Sequence, residues 1–77
     1  QMAFRPARWR VANYLLTLSP GSGPVSCTQE DIAAAVSASR VTVSRVLNEF
    51  ARQGWIALGY RTITLLQSEQ LKLLCKL

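Results

Sequence analysis

The chain has 77 residues, with nine Lys and Arg against four Asp and Glu, which gives a formal net charge of +5 and a pI near 10.0. This length accommodates one domain, residues 1–77, with a modest core and no room for a deep catalytic cleft. The basic charge balance favours a polyanionic partner such as a nucleic acid.

The residue types that metal sites and most enzyme sites need are missing or scattered. The sequence has no histidine, and Cys27 and Cys75 lie far apart without a CxxC motif. No metal is therefore expected, and no cofactor in this domain. The few acidic residues form no pair at catalytic spacing, so we predict that the chain is not an enzyme. Two lone cysteines and no apolar run near ~20 residues favour a cytoplasmic location without a membrane span.

The first predicted element is a helix over residues 7–18. Its apolar residues recur at helical spacing and form one face, made of Val11, Ala12, Leu15, Leu16 and Leu18. Trp9 and Tyr14 fall at the margins of this face, where aromatic rings pack partly buried. The segment from Ser19 to Pro24 has the composition of a loop, and residues 25–27 favour a short strand.

Two further helices follow, separated by a break at residues 36–39 that is too short for a domain linker. Thr28 is the expected N-cap of the first, with Asp31 where a capping-box partner belongs. The second begins at Ser39 and ends at Gln53. The apolar stripes of the two helices are Ile32, Ala33 and Val36, and Val43, Val46, Leu47 and Phe50. Because the turn is short, both stripes must share one core, which predicts a helix-turn-helix.

The other side of the second helix carries the functional argument. It presents Val41, Arg45, Asn48 and Arg52, with Ser44 flanking them, Arg40 at the amino end and Glu49 at the margin. An ordinary solvated face mixes Glu with Lys in i,i+4 pairs. Arginine without lysine instead suits bidentate recognition of guanine edges and phosphates. The alternative is a set of surface arginines that bind no ligand.

After Gln53 the apolar period becomes strand-like. Gly54 is the expected C-cap glycine, and residues 55–58 and 62–66 read as two strands around a turn at residues 59–61. The facing apolar residues, Ile56 and Leu58 with Ile63 and Leu65, are expected to pack on the core. Arg61 would then project from the turn into solvent. A helix-turn-helix followed by such a hairpin is a winged helix.

The last predicted element is a short helix over residues 68–76. Ser68 is its expected N-cap, and Glu69 and Lys76 suit the helix dipole at either end. Leu71, Leu74 and Cys75 form its apolar stripe. The predicted fold is mainly α with a small β-hairpin, a winged helix-turn-helix with a three-helix core, a wing and a short C-terminal helix.

The segment of about residues 10–74 contains RVANYLL and the run CTQEDIAAAVSASRVTVSRVLNEFARQGWIALGYRTITLL. The combination of TQEDIA, SRxTVSRVL, GWI and ITLL is more specific than a generic helix-turn-helix pattern. Through these residues the chain resembles the C-terminal DNA-binding domain of the cyclic-AMP receptor protein/Fnr (Crp/Fnr) family of bacterial transcription regulators. The resemblance implies sequence-specific binding of double-stranded DNA in transcription regulation, with the helix from Ser39 to Gln53 in the major groove.

Individual DNA contacts follow from the resemblance and from the charged face. The family's base-contacting positions match Arg40, Val41, Ser44 and Arg45. Phosphate contacts are expected from the surrounding polar and basic side chains, namely Thr28, Ser39, Thr42, Asn48, Arg52 and Arg61. Two positions depart from the family pattern. A glutamate is usual where this chain has Val41, so the acid contact to a C·G pair is missing. Ser37 replaces a frequent glycine and must tolerate a left-handed or otherwise costly backbone.

The resemblance also implies partners. Members of this family carry an N-terminal effector-sensing β-barrel and a long dimerisation helix, which no stretch here supplies, so we expect a fragment whose effector is unknown. The complete protein is expected to be a homodimer on a two-fold operator, with RNA polymerase as a candidate partner. The alternative is a winged-helix protein-interaction module without DNA binding, which predicts a neutral or apolar face on the second helix.

Overall fold

The computed structural model describes residues 5–19 and 21–76. Within these residues the chain forms four helices and three strands. They are α1 (Ala7–Leu18), β1 (Gly23–Ser26), α2 (Gln29–Val36), α3 (Arg40–Arg52), β2 (Ile56–Gly59), β3 (Thr62–Leu65) and α4 (Ser68–Lys76). The strands form one antiparallel sheet in the order β1-β3-β2. The winged helix-turn-helix is confirmed, with one strand more than a simple hairpin.

Helix α1 has the predicted bounds and contributes Val11, Ala12 and Leu15 to the core, all fully buried. Leu16 is half-buried, but the prediction that Leu18 belongs to the buried face is wrong, because its side chain is 44% exposed. Leu18 lies in the last turn of α1. Helical periodicity predicts which side of a helix faces the core, but not how far along the helix the covering elements reach.

Helix α2 begins with the predicted capping box. The Asp31 backbone N–H donates to Thr28 Oγ1 at 3.1 Å, and the Thr28 N–H donates to Asp31 Oδ2 at 3.0 Å. Two N–H groups that the helix itself leaves unpaired are thereby satisfied. The hydrogen bond from the Thr28 backbone holds the pKa of the Asp31 carboxyl below its ordinary value.

The turn between α2 and α3 depends on a left-handed residue. Ser37 has φ 57° and ψ 50°, as the sequence required of a residue in a glycine position. The N–H groups of Ser37 and Ala38 both donate to the Ala33 carbonyl, which closes the end of α2. The chain can therefore reverse direction within a few residues.

Helix α3 is fixed at both ends and along one side. Its predicted apolar stripe is buried throughout: Val43, Val46, Leu47 and Phe50 are each at most 2% exposed. The helix ends in a Schellman motif around Gly54 (φ 79°), in which Gly54 N–H donates to the Ala51 carbonyl and Trp55 N–H to the Phe50 carbonyl. The Phe50 and Trp55 rings pack with their centroids 5.5 Å apart, the apolar contact that accompanies this motif.

The hairpin differs from its prediction in its bounds and in the packing of Leu58. Strand β2 starts one residue later than expected and β3 ends one residue earlier, at Leu65. Gly59 pairs with Thr62, so the turn comprises Tyr60 and Arg61 alone. The predicted pairing of Leu58 with Ile63 is present, but Leu58 is 40% exposed and packs only partly. Arg61 takes the left-handed conformation that closes the turn, with φ 54°.

Strand β1 begins two residues before the predicted strand at residues 25–27. Gly23 and Pro24, predicted as loop, belong to it, and it pairs antiparallel with β3, with Val25 opposite Ile63. Cys27 follows the strand instead of ending it, and its N–H donates to the Arg61 carbonyl at 3.2 Å. The segment before α2 is thereby tied to the turn of the wing.

Helix α4 packs against α1. Ser68 is its first residue, not the flanking N-cap that the sequence suggested, and it is buried beside the Ser22 hydroxyl, with 3.4 Å between the two Oγ atoms. Of the three residues of the predicted apolar stripe, Leu71 is buried, and Leu74 and Cys75 are half-buried. Trp9 Nε1 donates to the Cys75 carbonyl at 2.8 Å. The half-buried Trp9 therefore has a packing role, as its position at the margin of α1 indicated.

Arg10 links α1 to the helix-turn-helix through a contact that the sequence did not predict. Its Nε donates to the carbonyl of Val36 at 2.8 Å, and another guanidinium nitrogen donates to the Arg5 carbonyl. Val36 is the last residue of α2, where unpaired carbonyls and the helix dipole both favour a cation. Arg10 therefore supports the turn before α3.

The Asp31 pKa gives a prediction about acid stability. Because folding lowers this pKa, the charged carboxylate contributes stability that is present above the unfolded-chain value and lost as the pH falls through the folded value. We expect Asp31→Asn to unfold more easily than wild type at neutral pH. The difference should close on acidification, as followed by thermal unfolding from pH 7 downward. A difference that stays constant with pH would show that the charge is not responsible.

The Arg10 contact gives a second prediction. Arg10→Met keeps most of the aliphatic packing but removes a charged hydrogen bond to a helix end. We expect it to lower the free energy of unfolding by about 1–3 kcal/mol. Arg45→Met, in the exposed middle of α3 and away from either helix end, is the matched control and should change it by less than about 0.5 kcal/mol. Equal effects of both substitutions in urea titrations would contradict this role of Arg10.

Candidate nucleic-acid interface

The side of α3 opposite its buried stripe is open to solvent. Val41 is 76% exposed, and Arg45, Asn48 and Arg52 are exposed beyond it at the predicted helical spacing. Ser44 is half-buried at the flank, and Arg40 is exposed at the amino end. The predicted orientation of this helix is therefore confirmed. Because the buried stripe fixes rotation about the helix axis, the exposed set is fixed as well.

These side chains line one shallow groove along α3. It is formed by Gln29, Arg40, Val41, Ser44, Arg45, Asn48 and Arg52. All four predicted base-reading residues are brought together here, with two of the predicted phosphate contacts. Gln29 also lines the groove, although it is not among the predicted contacts. It is the first residue of α2, directly after the Thr28 cap. The short turn between α2 and α3 indicated that the two helices lie close together, and this could have predicted its position.

Thr28, Ser39 and Thr42 lie at helix ends, where their hydroxyls have local partners. Ser39 is the N-cap of α3: its Oγ accepts from the Thr42 N–H at 3.1 Å and donates to Thr42 Oγ1 at 3.0 Å. Thr28 Oγ1 likewise accepts from the Asp31 N–H at the start of α2. Thr42 keeps its own hydroxyl hydrogen for an outside acceptor. The two capped amino ends carry the positive ends of their helix dipoles, which favour anions.

The wing forms a second exposed surface beside the α3 groove. Tyr60 is 88% exposed at the turn, and Arg61 is exposed beside it. Between this turn and the amino ends of α2 and α3 lies a cleft of about 270 Å³, whose lining includes Thr28, Gln29, Glu30, Arg40 and Arg61. Arg61 thus lies apart from the α3 groove, while Gln29 and Arg40 border both surfaces.

The acidic side chains leave most of the α3 groove positive. Glu49 at the margin of α3 pairs with Arg8 of α1 at 3.4 Å, and Glu69 pairs with Lys72 on α4. Glu30 pairs with Arg40 at 3.2 Å. Among residues 5–19 and 21–76, neither Arg45 nor Arg52 forms an ion pair. Their guanidinium groups therefore face solvent with their donors uncommitted.

Neither cysteine has the properties of a reactive thiol. Burial raises the pKa of Cys27, and the nearby Asp31 carboxylate raises it further. Burial also raises the pKa of Cys75. The part of the chain that the structure describes contains no group of three potential metal ligands. None of its helices is long and apolar enough to cross a membrane.

Residues 9–74 match the Crp-like helix-turn-helix domain family. A CRP-like cAMP-activated global transcriptional regulator of Mycobacterium tuberculosis is 37% identical over 91% of this chain, which spans 35% of that protein. A cyclic AMP receptor protein of Thermus thermophilus is 42% identical over 80% of the chain and 30% of its own length. The chain thus spans about a third of the length of these relatives. Their names describe regulators, in agreement with the prediction that the chain is no enzyme.

Solved structures give the same assignment. A CRP/FNR-family transcriptional regulator of Thermus thermophilus superposes with a TM-score of 0.87 at 35% identity, covering 96% of this chain and 42% of that one. A putative regulator of the crp/fnr family from Eubacterium rectale gives a TM-score of 0.89 at 29% identity, covering 99% of this chain and 36% of that one. The whole fold described above, wing included, is therefore shared with such regulators.

Proposed function

The chain belongs to the Crp/Fnr family of transcription regulators through its Crp-like helix-turn-helix domain, and we propose that it binds double-stranded DNA with α3 in the major groove. Arg40, Val41, Ser44 and Arg45 are the proposed base contacts. Their place on the first two turns of α3 suits a helix that enters the groove by its amino end.

One observation carries this proposal: Arg45 and Arg52 project from one face of α3 without ion-pair partners among the described residues. A helix with its side chains is ~10–12 Å across, and the major groove of B-DNA is ~12 Å wide. A free guanidinium can form two parallel hydrogen bonds to guanine O6 and N7 or bind a phosphate. The helix therefore fits the width of the major groove, and its arginine face carries the charge opposite to that of the DNA phosphates.

The remaining polar groups are proposed to contact the DNA backbone. Thr28, Ser39 and Thr42 lie at the amino ends of α2 and α3, where a phosphate would meet both a hydroxyl and the helix dipole. Asn48 and Arg52 extend the α3 groove toward its carboxyl end. Arg61 would reach a phosphate from the wing. Contacts of this kind set register and orientation, and base contacts supply specificity.

We also propose what a complete regulatory protein would contain. Because the chain spans about a third of its relatives, an effector-binding and dimerisation region would lie elsewhere in a complete protein. We propose a cytoplasmic homodimer that places two copies of α3 in successive major grooves of a two-fold operator. RNA polymerase is the proposed protein partner. The effector is left open, and no cofactor is assigned to this domain.

A salt series with matched variants tests DNA binding. We expect the affinity of the chain for a random-sequence duplex to fall steeply between 50 and 200 mM salt, because each phosphate contact releases counterions. Arg61→Ala should weaken binding about equally on all sequences and lower the slope by roughly one contact. Arg45→Ala should instead cost about 1–3 kcal/mol on a selected site and relax preference at one guanine.

Three results would contradict these assignments. An affinity that does not change with salt would exclude DNA binding and favour a protein-interaction module. Equal losses on selected and random DNA for Arg45→Ala would reduce that residue to a phosphate contact. A sequence-dependent loss for Arg61→Ala would place the wing against the bases.

Val41 gives a prediction about the operator. Its exposed side chain can neither donate nor accept a hydrogen bond, and the thymine methyl is the apolar feature of the major-groove edge. We therefore expect a thymine, or no strong preference, where relatives with glutamate read C·G. In the complete dimeric protein, Val41→Glu should shift selection toward C·G at that base pair by about 1–3 kcal/mol.

The readout for Val41 is selection from a randomised half-site, because neighbouring Arg40 can pair with the new carboxylate and distort the result on any single oligonucleotide. Selection of C·G by the wild type, or an unchanged base in the variant, would show that residue 41 does not face the bases.

A further inference from the structure

Arg40 forms an ion pair with an acid from the neighbouring helix. Its Nη1 lies 3.2 Å from Oε2 of Glu30, and the two side chains are 63% and 61% exposed. Glu30 is in the first turn of α2, and Arg40 is the first residue of α3. The pair therefore crosses the helix-turn-helix at the edge of the α3 groove, where DNA would dock.

The geometry leaves most of the guanidinium available. The guanidinium has five N–H donors, and the contact with Glu30 engages one nitrogen. Reading a guanine takes two parallel N–H bonds to O6 and N7. Arg40 can therefore bind a base edge while Glu30 still holds it, so the acid need not be displaced.

The position of Glu30 also bears on where Arg40 can point. Glu49 and Glu69 are paired with Arg8 and Lys72, and Asp31 is engaged in the α2 cap. Glu30 is the acid whose ion pair lies on the proposed DNA surface. A carboxylate there repels phosphates, while base edges carry no net charge. It should therefore disfavour contacts of Arg40 with the DNA backbone.

Solvent weakens this pair in the free protein, since an exposed salt bridge is screened and its net contribution to stability is small. A docked duplex excludes water and strengthens charge interactions. The contribution of the Glu30–Arg40 pair should therefore be seen in DNA binding and not in folding.

We propose that Glu30 is a positioning residue that makes Arg40 read a base instead of binding a phosphate. The inference rests on the proposed DNA binding and adds a specificity determinant that itself touches no base. Its loss should raise affinity for DNA in general and lower discrimination between sequences.

The test is a double-mutant cycle with Glu30→Gln, Arg40→Ala and both together. A duplex selected by the wild-type chain from a randomised half-site library is compared with a random-sequence duplex at one salt concentration. We expect Glu30→Gln to bind the random duplex more tightly and to lower the ratio of the two affinities about fivefold or more, the lower end of what an arginine–guanine contact supplies. In the Arg40→Ala background the same substitution should leave the ratio unchanged.

Glu69→Gln is the matched control. It removes the same charge and breaks the Glu69–Lys72 pair on α4, away from the α3 groove, and should leave the affinity ratio unchanged. Thermal unfolding shows whether each variant folds. Because both glutamates are exposed, we expect all of the variants to fold.

The possible failures are distinguishable. If Glu30→Gln raises both affinities by one factor, or acts equally with and without Arg40, the acid is only a general repulsive charge and the proposal is wrong. If it changes neither affinity, the ion pair has no role in binding. If the wild type selects no sequence, or its binding is insensitive to salt, the proposed function itself fails, whatever the variants do.

Discussion

The arrangement of the molecule depends on the short turn between α2 and α3. A left-handed Ser37 closes it, the Ala33 carbonyl accepts from two N–H groups, and Arg10 of α1 donates to the carbonyl of Val36. A backbone conformation that L-residues disfavour is thus supported by three hydrogen bonds. Because the turn is this short, α2 and α3 cannot pack independently. They must bury their stripes in one core against α1.

This shared core fixes the surface on which the proposed DNA binding depends. The buried side of α3 is anchored by Val43, Leu47 and Phe50, and Gly54 ends the helix with a motif that stacks Trp55 on Phe50. A rotation of α3 by one residue, ~100°, would bring polar side chains into the core. Packing therefore determines, without any ligand, that Arg45 and Arg52 point outward.

The sequence predicted the helices well because each carries its own signals. Periodicity and caps are local, so the bounds of α1 and the capping box at Thr28 followed from the sequence alone. The wrong predictions concern residues whose structure is decided by contacts with distant parts of the chain. Gly23 pairs in a strand because β3 is beside it, and Arg61 takes a turn conformation for which arginine has no special preference. The contacts of Arg10 and Glu30 link distant segments, which helical spacing alone cannot reveal.

Charge placement, more than net charge, distinguishes the α3 surface. The net charge of +5 describes the whole chain, but ion pairing decides which parts of the surface are positive. Arg8 neutralises Glu49 on the side of α3 that faces α1, while Arg45 is left uncommitted. An uncommitted guanidinium can bind either a guanine edge or a phosphate of any sequence. On this surface Arg40 is the arginine with an acid beside it, and that acid would disfavour a phosphate contact. The placement of acids would thus set how much of the arginine surface is open to nonspecific binding.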